Sequence, residues 1–275
     1  MQIDDGRSGP FVTVLGADLD QPELMTLETQ VTVNGLTKGF IYRVRYRAIN
    51  QIGTSDWSAT AYKRAASVPA APPTPIVTEV DATKIVLQLS ISSDDGGTGI
   101  FAYHLYVNEG LNGSPMNEIT AYDGTSLSHT IAEGDIVASH TIALGNIYTI
   151  KYVAENAVGL SQDSDLLYVA LASKPDQPNA PTFDAERSTR TQIVLLWEEG
   201  VSIDIPVTGY LLYSDRGLPG NQFLIYDGDG STQIQEYTDS GLIPGVMYEY
   251  TLEVLNFNGP SEKSVGVYRS ACNAP

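Results

Sequence analysis

The chain has 275 residues, room for two domains of ordinary size or three small ones, and at 42% hydrophobic it has too much apolar material for a disordered chain. Its 33 acidic residues against 15 basic ones give a net charge of −18, which disfavours binding to nucleic-acid phosphates or anionic lipid. The lone cysteine, Cys272, excludes an intrachain disulfide framework and a cysteine-built zinc site. The longest apolar run, Leu166 to Ala172, has seven residues and is too short to insert across a bilayer.

In chain order the pattern is one of strands. Tyr42, Val44, Tyr46 and Ala48 alternate with Arg43, Arg45 and Arg47, the period-two mark of a strand with one face buried and one wet. A Pro-rich joint, Val68 to Pro75, leads to a strand over Thr83 to Leu89, an Asp94-Asp-Gly-Gly turn and a strand from Tyr103. The segment Ile131 to His140 predicts an extended loop, and a further strand begins at Tyr148. A second joint, Lys174 to Pro181, precedes strands at Thr191 to Trp197, Tyr210 to Tyr213 and Tyr248 onward. No stretch sustains a helical stripe, so the expected class is all-β.

Three segments repeat: Tyr42 to Ser55, Tyr148 to Ser161 and Tyr248 to Ser261. In each, Asn follows the Tyr by eight residues, Gly by eleven and Ser by thirteen, giving Asn50, Asn156 and Asn256. Thr83 to Leu89 matches Thr191 to Trp197, and Tyr122-Asp-Gly matches Tyr226-Asp-Gly, although Leu89 stands where the other copy has Trp197. The Asn is expected to end its strand by bonding the turn backbone, with Gly supplying positive φ. The predicted units are 1–71, an incomplete repeat with strands C to G only, then 72–174 and 175–272, with 273–275 starting a further repeat or linker. An incomplete first unit would leave an apolar face open, so the sequence is expected to be a window on a longer array or a chain completed by another.

These features resemble the fibronectin type III family: the Pro-rich entry, the strand ending in Trp197, the Asp-Gly-Gly turn and the approach Leu242-Ile-Pro-Gly-Val-Met-Tyr248. The resemblance implies tandem immunoglobulin-like β-sandwiches in which Tyr42, Tyr148 and Tyr248 make tyrosine corners, ring in the core and hydroxyl bonded to nearby backbone. It also implies an extracellular or cell-surface setting. Thr54-Ser-Asp-Trp-Ser58 is similar to the latter part of the Trp-Ser-x-Trp-Ser box of cytokine receptors, whose outward arginines interleave with tryptophans. Because the first Trp is absent here, a partial stack around Trp57 is expected.

No catalytic, cofactor-binding or metal-binding motif emerges. His104, His129 and His140 have no metal-binding spacing and read as solvated. Asp227-Gly-Asp-Gly lacks the sixth-position Gly and twelfth-position Glu of a calcium loop and reads as a polar turn. Asn112-Gly-Ser114 is the one N-glycosylation sequon. Charge is unevenly spread: residues 1–71 hold 7 acidic and 7 basic, 72–174 hold 12 and 3, and 175–275 hold 14 and 5. The interaction-surface candidates are therefore Arg43, Arg45, Arg47 and Trp57 in the first unit, facing Glu249 and Glu253 of another chain's third. The expected function is a non-enzymatic structural or adhesive rod or fibre component with protein partners or self-association and glycans. Two alternatives stand: an accessory module of a larger extracellular enzyme, and an intracellular cytoskeletal scaffold.

Overall fold

The computed structural model describes residues 1–16 and 27–272, and every regular element among them is a β-strand. Residues 273–275, expected to start a further repeat, lie outside the described residues.

The second unit is a two-sheet sandwich. One sheet orders Ile76–Val80, Lys84–Gln88 and Ser128–Ala132. The other runs from Asn117–Glu118 through Ala102–Val107 to the ten-residue strand Ile147–Asn156, which also pairs with Gly159–Leu160 and Leu167–Ala170. The third unit repeats the plan. Thr182–Asp184, Gln192–Leu196 and Glu236–Ser240 form one sheet, while Phe223–Asp227, Val207–Ser214, Met247–Asn256, Gly259–Pro260 and Val267–Ser270 form the other. By the family's lettering these are sheets A-B-E and C′-C-F-G. Alternation along strand F sends Tyr148, Ile150, Tyr152 and Ala154 into one core and Tyr248, Tyr250, Leu252 and Val254 into the other, all buried.

The core chemistries differ where the sequences do. Trp197 joins Tyr210, Tyr226 and Tyr237 in a chain of rings with centroids 5.4–5.8 Å apart. With Leu89 in the equivalent place, the second core keeps the Tyr103–Tyr152 pair, and Tyr152 Oη donates to Ser90 O across the sandwich.

Among the described residues the first unit is one sheet, ordered Val12–Thr13, Gln2–Ile3, Ile41–Arg45 and Ala61–Arg64, the counterparts of C′, C, F and G. Residues 27–40 form no strand. No second sheet faces this one among the described residues, and its inner positions show it: Tyr46 is 65% exposed, whereas its equivalents Tyr152 and Leu252 are buried.

The segment expected to be an extended loop is not one. Its first residues complete strand Ser128–Ala132, and Ile136–Val137 pairs with His140–Thr141 in a small hairpin turned through Ala138. The reason is burial: Val137 and Ile142 point into the second core and anchor the insertion.

Both joints are held alike. Asn156 Nδ2 donates to Ser67 O at 2.8 Å and Asn256 Nδ2 to Ser173 O at 2.8 Å. Each amide also reaches the loop after strand B, at Asp95 O and Ser202 Oγ. The second joint adds a small apolar contact of Ile205 on Ala170 and Ala172, and the Asp204 carboxylate accepts the Ser173 N–H.

Candidate functional site

Strand F and its turn present a shared frame in all three units. Tyr42, Tyr148 and Tyr248 are buried, and each hydroxyl accepts the backbone N–H five residues earlier: Thr37 at 2.7 Å, Ala143 at 2.7 Å and Ile243 at 2.9 Å. Asn50, Asn156 and Asn256 each accept a turn N–H on Oδ1, from Ile52, Val158 and Asn258. Gly159 and Gly259 then take positive φ, at 146° and 107°.

After the turn a pair of serines replaces regular pairing between strands F and G. Ser55 and Ser58 accept the N–H groups of Ala48 and Tyr46; Ser161 and Ser164 accept those of Ala154 and Tyr152; Ser261 and Ser264 accept those of Val254 and Leu252. Each serine backbone N–H returns a bond to the same strand-F residue. The second serine of each pair was not singled out from sequence. Its signal was there, sixteen residues after every Tyr.

Upon this frame the outward face differs from unit to unit. In the first, Arg43, Arg45 and Arg47 interleave with two rings. Arg43 lies 5.0 Å from the Phe11 ring, Arg45 lies 4.0 Å from Phe11 and 4.3 Å from Trp57, and Arg47 lies 4.6 Å from Trp57. The stack thus extends beyond the partial one expected around Trp57, because Phe11 supplies a second ring in the absence of the first Trp. Phe11 comes from a loop running into strand Val12–Thr13. Two of the arginines are also bonded below. Arg43 Nε donates to the enclosed Asp4 carboxylate at 2.7 Å, and Arg45 shares Gln2 Oε1 through Nε and Nη2. An open groove of about 750 Å³ beside the stack is lined by Tyr46, Ala48, Ile49 and Trp57, among others.

In the second unit the position of Arg45 is Lys151 and that of Trp57 is Asp163, and they form an ion pair at 2.6 Å. Beside them His104 bridges two carboxylates, Nδ1 to Glu118 at 2.6 Å and Nε2 to Glu155 at 2.9 Å. Burial alone would lower the His104 pKa, but the hydrogen bonds and charges of Glu118 and Glu155 outweigh it and raise the value. The expectation of solvated histidines is corrected here. His104 is held by neighbours that only the strand register brings together, and half-buried His129 packs edge-on to Tyr122. Burial lowers the His129 pKa.

In the third unit Tyr213 Oη donates to Glu253, Lys263 lies 3.6 Å from the Tyr213 ring, and Tyr268 Oη donates to Glu249. Glu253 is only 8% exposed. Both candidate carboxylates are therefore engaged within their own unit. Asn112 is exposed in the loop between strands Ala102–Val107 and Asn117–Glu118. In the Asp227-Gly-Asp turn, Asp227 accepts the Asp229 N–H, and no cluster of three metal-capable side chains occurs among the described residues. No helix of the described residues is long and apolar enough to cross a membrane.

No family model matches the chain. It is 27% identical over 244 residues to fibronectin type-III domain-containing protein 3a of Gallus gallus and 23% identical over 240 residues to myomesin-2 of Homo sapiens. These matches cover 88% and 84% of this chain but 19% and 16% of those proteins' lengths. Among solved structures, the FN1–FN3 domains of chicken CNTN1 align over 99% of this chain and 90% of that one, with a TM-score of 0.47 and 14% identity. One grammar of corner, turn and serine pair recurs in three successive units, and most of the sequence is similar to a protein named for the same module. The chain is a tandem of β-sandwich units similar to fibronectin type III proteins.

Proposed function

We propose that this chain is a non-enzymatic structural or adhesive component, a stiff segment of a longer array in a rod or fibre at the cell surface, divided at 71/72 and 174/175. The repeated pin of Asn156 on Ser67 and Asn256 on Ser173 carries the reading, because it fixes each unit to the strand that leads into it. A spacer needs such joints and an enzyme does not. Small-angle scattering of the purified chain tests this: one elongated form is expected, and an ensemble of bent shapes overturns it.

The second element of the proposal is self-association, with the Arg45–Trp57 stack of one chain meeting the acidic third unit of another. It is supported by the charge difference between a neutral unit 1–71 and the net −9 of residues 175–275. Because Glu249 and Glu253 are engaged internally, the contact draws on the field of that unit as a whole. Assembly that weakens in salt and is lost in Arg45→Glu is expected. For the cell-surface setting, native protein should carry an N-glycan on exposed Asn112; an unmodified Asn112 in native material favours the intracellular scaffold instead.

A further inference from the structure

Two outer sheet edges are left open to a further strand, each differently from its counterpart in the second unit. The first is Phe223–Asp227, the terminal strand of the third unit's C′-C-F-G sheet, which pairs only with Val207–Ser214. Its sequence, Phe-Leu-Ile-Tyr-Asp, has no Lys, Arg or Pro, and Phe223 and Leu224 are 44% and 49% exposed. Edges of soluble proteins are ordinarily blunted by shortness, charge or proline, because unpaired N–H and C=O groups template another strand. The second unit follows that practice, with a two-residue Asn117–Glu118 in the same place. The third does not.

The other open edge is Ala61–Arg64, the last strand of the first unit's sheet. Among the described residues it pairs only with Ile41–Arg45, all four of its residues are exposed, and it carries Lys63 and Arg64, the latter donating from Nη1 to Gly39 O at 2.8 Å. Its counterpart in the second unit, Leu167–Ala170, ends at Ala170, whose backbone N–H and C=O are both taken by Asn258.

We infer that the apolar, acid-ended edge Phe223–Asp227 of one copy pairs with the basic edge Ala61–Arg64 of a second copy, joining chains head to tail through a continuous sheet. The proposal rests on the self-association reading and adds a second contact surface to it. Charge selects this partner over a second Phe223–Asp227 edge: the basic strand belongs to the neutral unit, whereas two third units would bring net −9 against net −9. A parallel register sets Ala61 to Arg64 beside Leu224 to Asp227 and places Arg64 next to Asp227. The contact is heterologous, with different patches on the two partners, so it does not stop at two. Main-chain hydrogen bonds supply the affinity and the paired charges the register.

The test is sedimentation velocity of the full chain over a concentration series, with amide hydrogen exchange of the same samples. Open-ended oligomers are expected, with the amides of Leu224 and Ile225 gaining protection on assembly. Leu224→Lys should weaken association at least tenfold, as should Arg64→Asp, and pairing Arg64→Asp with Asp227→Arg should restore it. Thermal melts check that each variant is folded, and the exchange measurement on wild type needs no variant. Assembly lost in Arg45→Glu but kept in Leu224→Lys, without protection at Leu224, overturns the edge pairing and leaves the arginine-face contact standing. Dimers that grow no further overturn it in favour of a twofold contact. A monomer at every concentration overturns both readings.

Discussion

Asn258, in the turn after strand F of the third unit, closes both backbone groups of Ala170 in the second: its Oδ1 accepts the Ala170 N–H and its Nδ2 donates to Ala170 O, each at 3.0 Å. Nδ2 also reaches Ala172 O at 2.8 Å. The first joint has no such clasp, because the equivalent residue is half-exposed Val158. Asn258→Ala should therefore weaken the coupling of units two and three, at about 1–3 kcal/mol for the backbone groups left unsatisfied, while the Asn256 pin and the Ile205 contact remain. Urea unfolding followed separately in each unit should show the third stabilising the second less than in wild type. Val158→Ala should leave its joint unchanged.

The tyrosine corners should be of similar worth in both complete sandwiches. Tyr148→Phe and Tyr248→Phe each keep the buried ring and remove one acceptor, from Ala143 N–H and Ile243 N–H respectively. Each should cost about 1 kcal/mol by chemical denaturation. Tyr42→Phe should cost less, because its unit lacks a facing sheet among the described residues for the corner to hold.

The histidines give the second unit two opposed pH responses. His104 has a folded-state pKa raised above its ordinary value of about 6.5, so its contribution to stability is full below that pH and is lost as pH rises through the folded value. His129 has a lowered folded-state pKa, so its proton destabilises the fold and stability falls as pH drops below about 6.5. NMR titration should place the two midpoints on opposite sides of the ordinary value. His104→Gln should leave only the loss on the acid side. Equal midpoints would contradict the bridging of Glu118 and Glu155.

The arginine stack should depend on Phe11 as much as on Trp57. Phe11→Ala removes the ring lying 4.0 Å from Arg45, and should cost about 0.5–2 kcal/mol and redden Trp57 emission as water reaches it. A Trp197→Phe background isolates the signal, since Trp57 and Trp197 are the two tryptophans. Unchanged emission would mean the stack does not order Trp57.

Much of this architecture was legible because it repeats. Tyr148, Asn156 and Ser161 sit at spacings kept three times, and each proved to bind backbone within its own unit. The pin on Ser67 and Ser173 also had a trace, a serine two residues before Pro69 and Pro175, but one that only the folded joint explains. What escaped was whatever depends on register or on a single unit. Phe11 meets Arg45 across 34 residues through strand pairing, and His104 meets Glu155 only because Val153 lies opposite His104. Asn258 was hidden because its equivalents are Val158 and Ile52. The outward carboxylates of the third unit were misjudged for the same reason: alternation gives the face, and only packing shows that Tyr213 and Tyr268 already occupy Glu253 and Glu249.

The serine pairs and corners fix strand F through hydroxyls bonded to backbone groups, and they ask nothing of the side chains that alternate outward from it. Those positions read Arg43, Arg45, Arg47 in one copy, Thr149, Lys151, Val153 in the next and Glu249, Thr251, Glu253 in the last. After duplication, then, each copy was free to be repainted from cationic to anionic without renegotiating its fold. A gene built this way can diversify what it touches while inheriting its architecture whole.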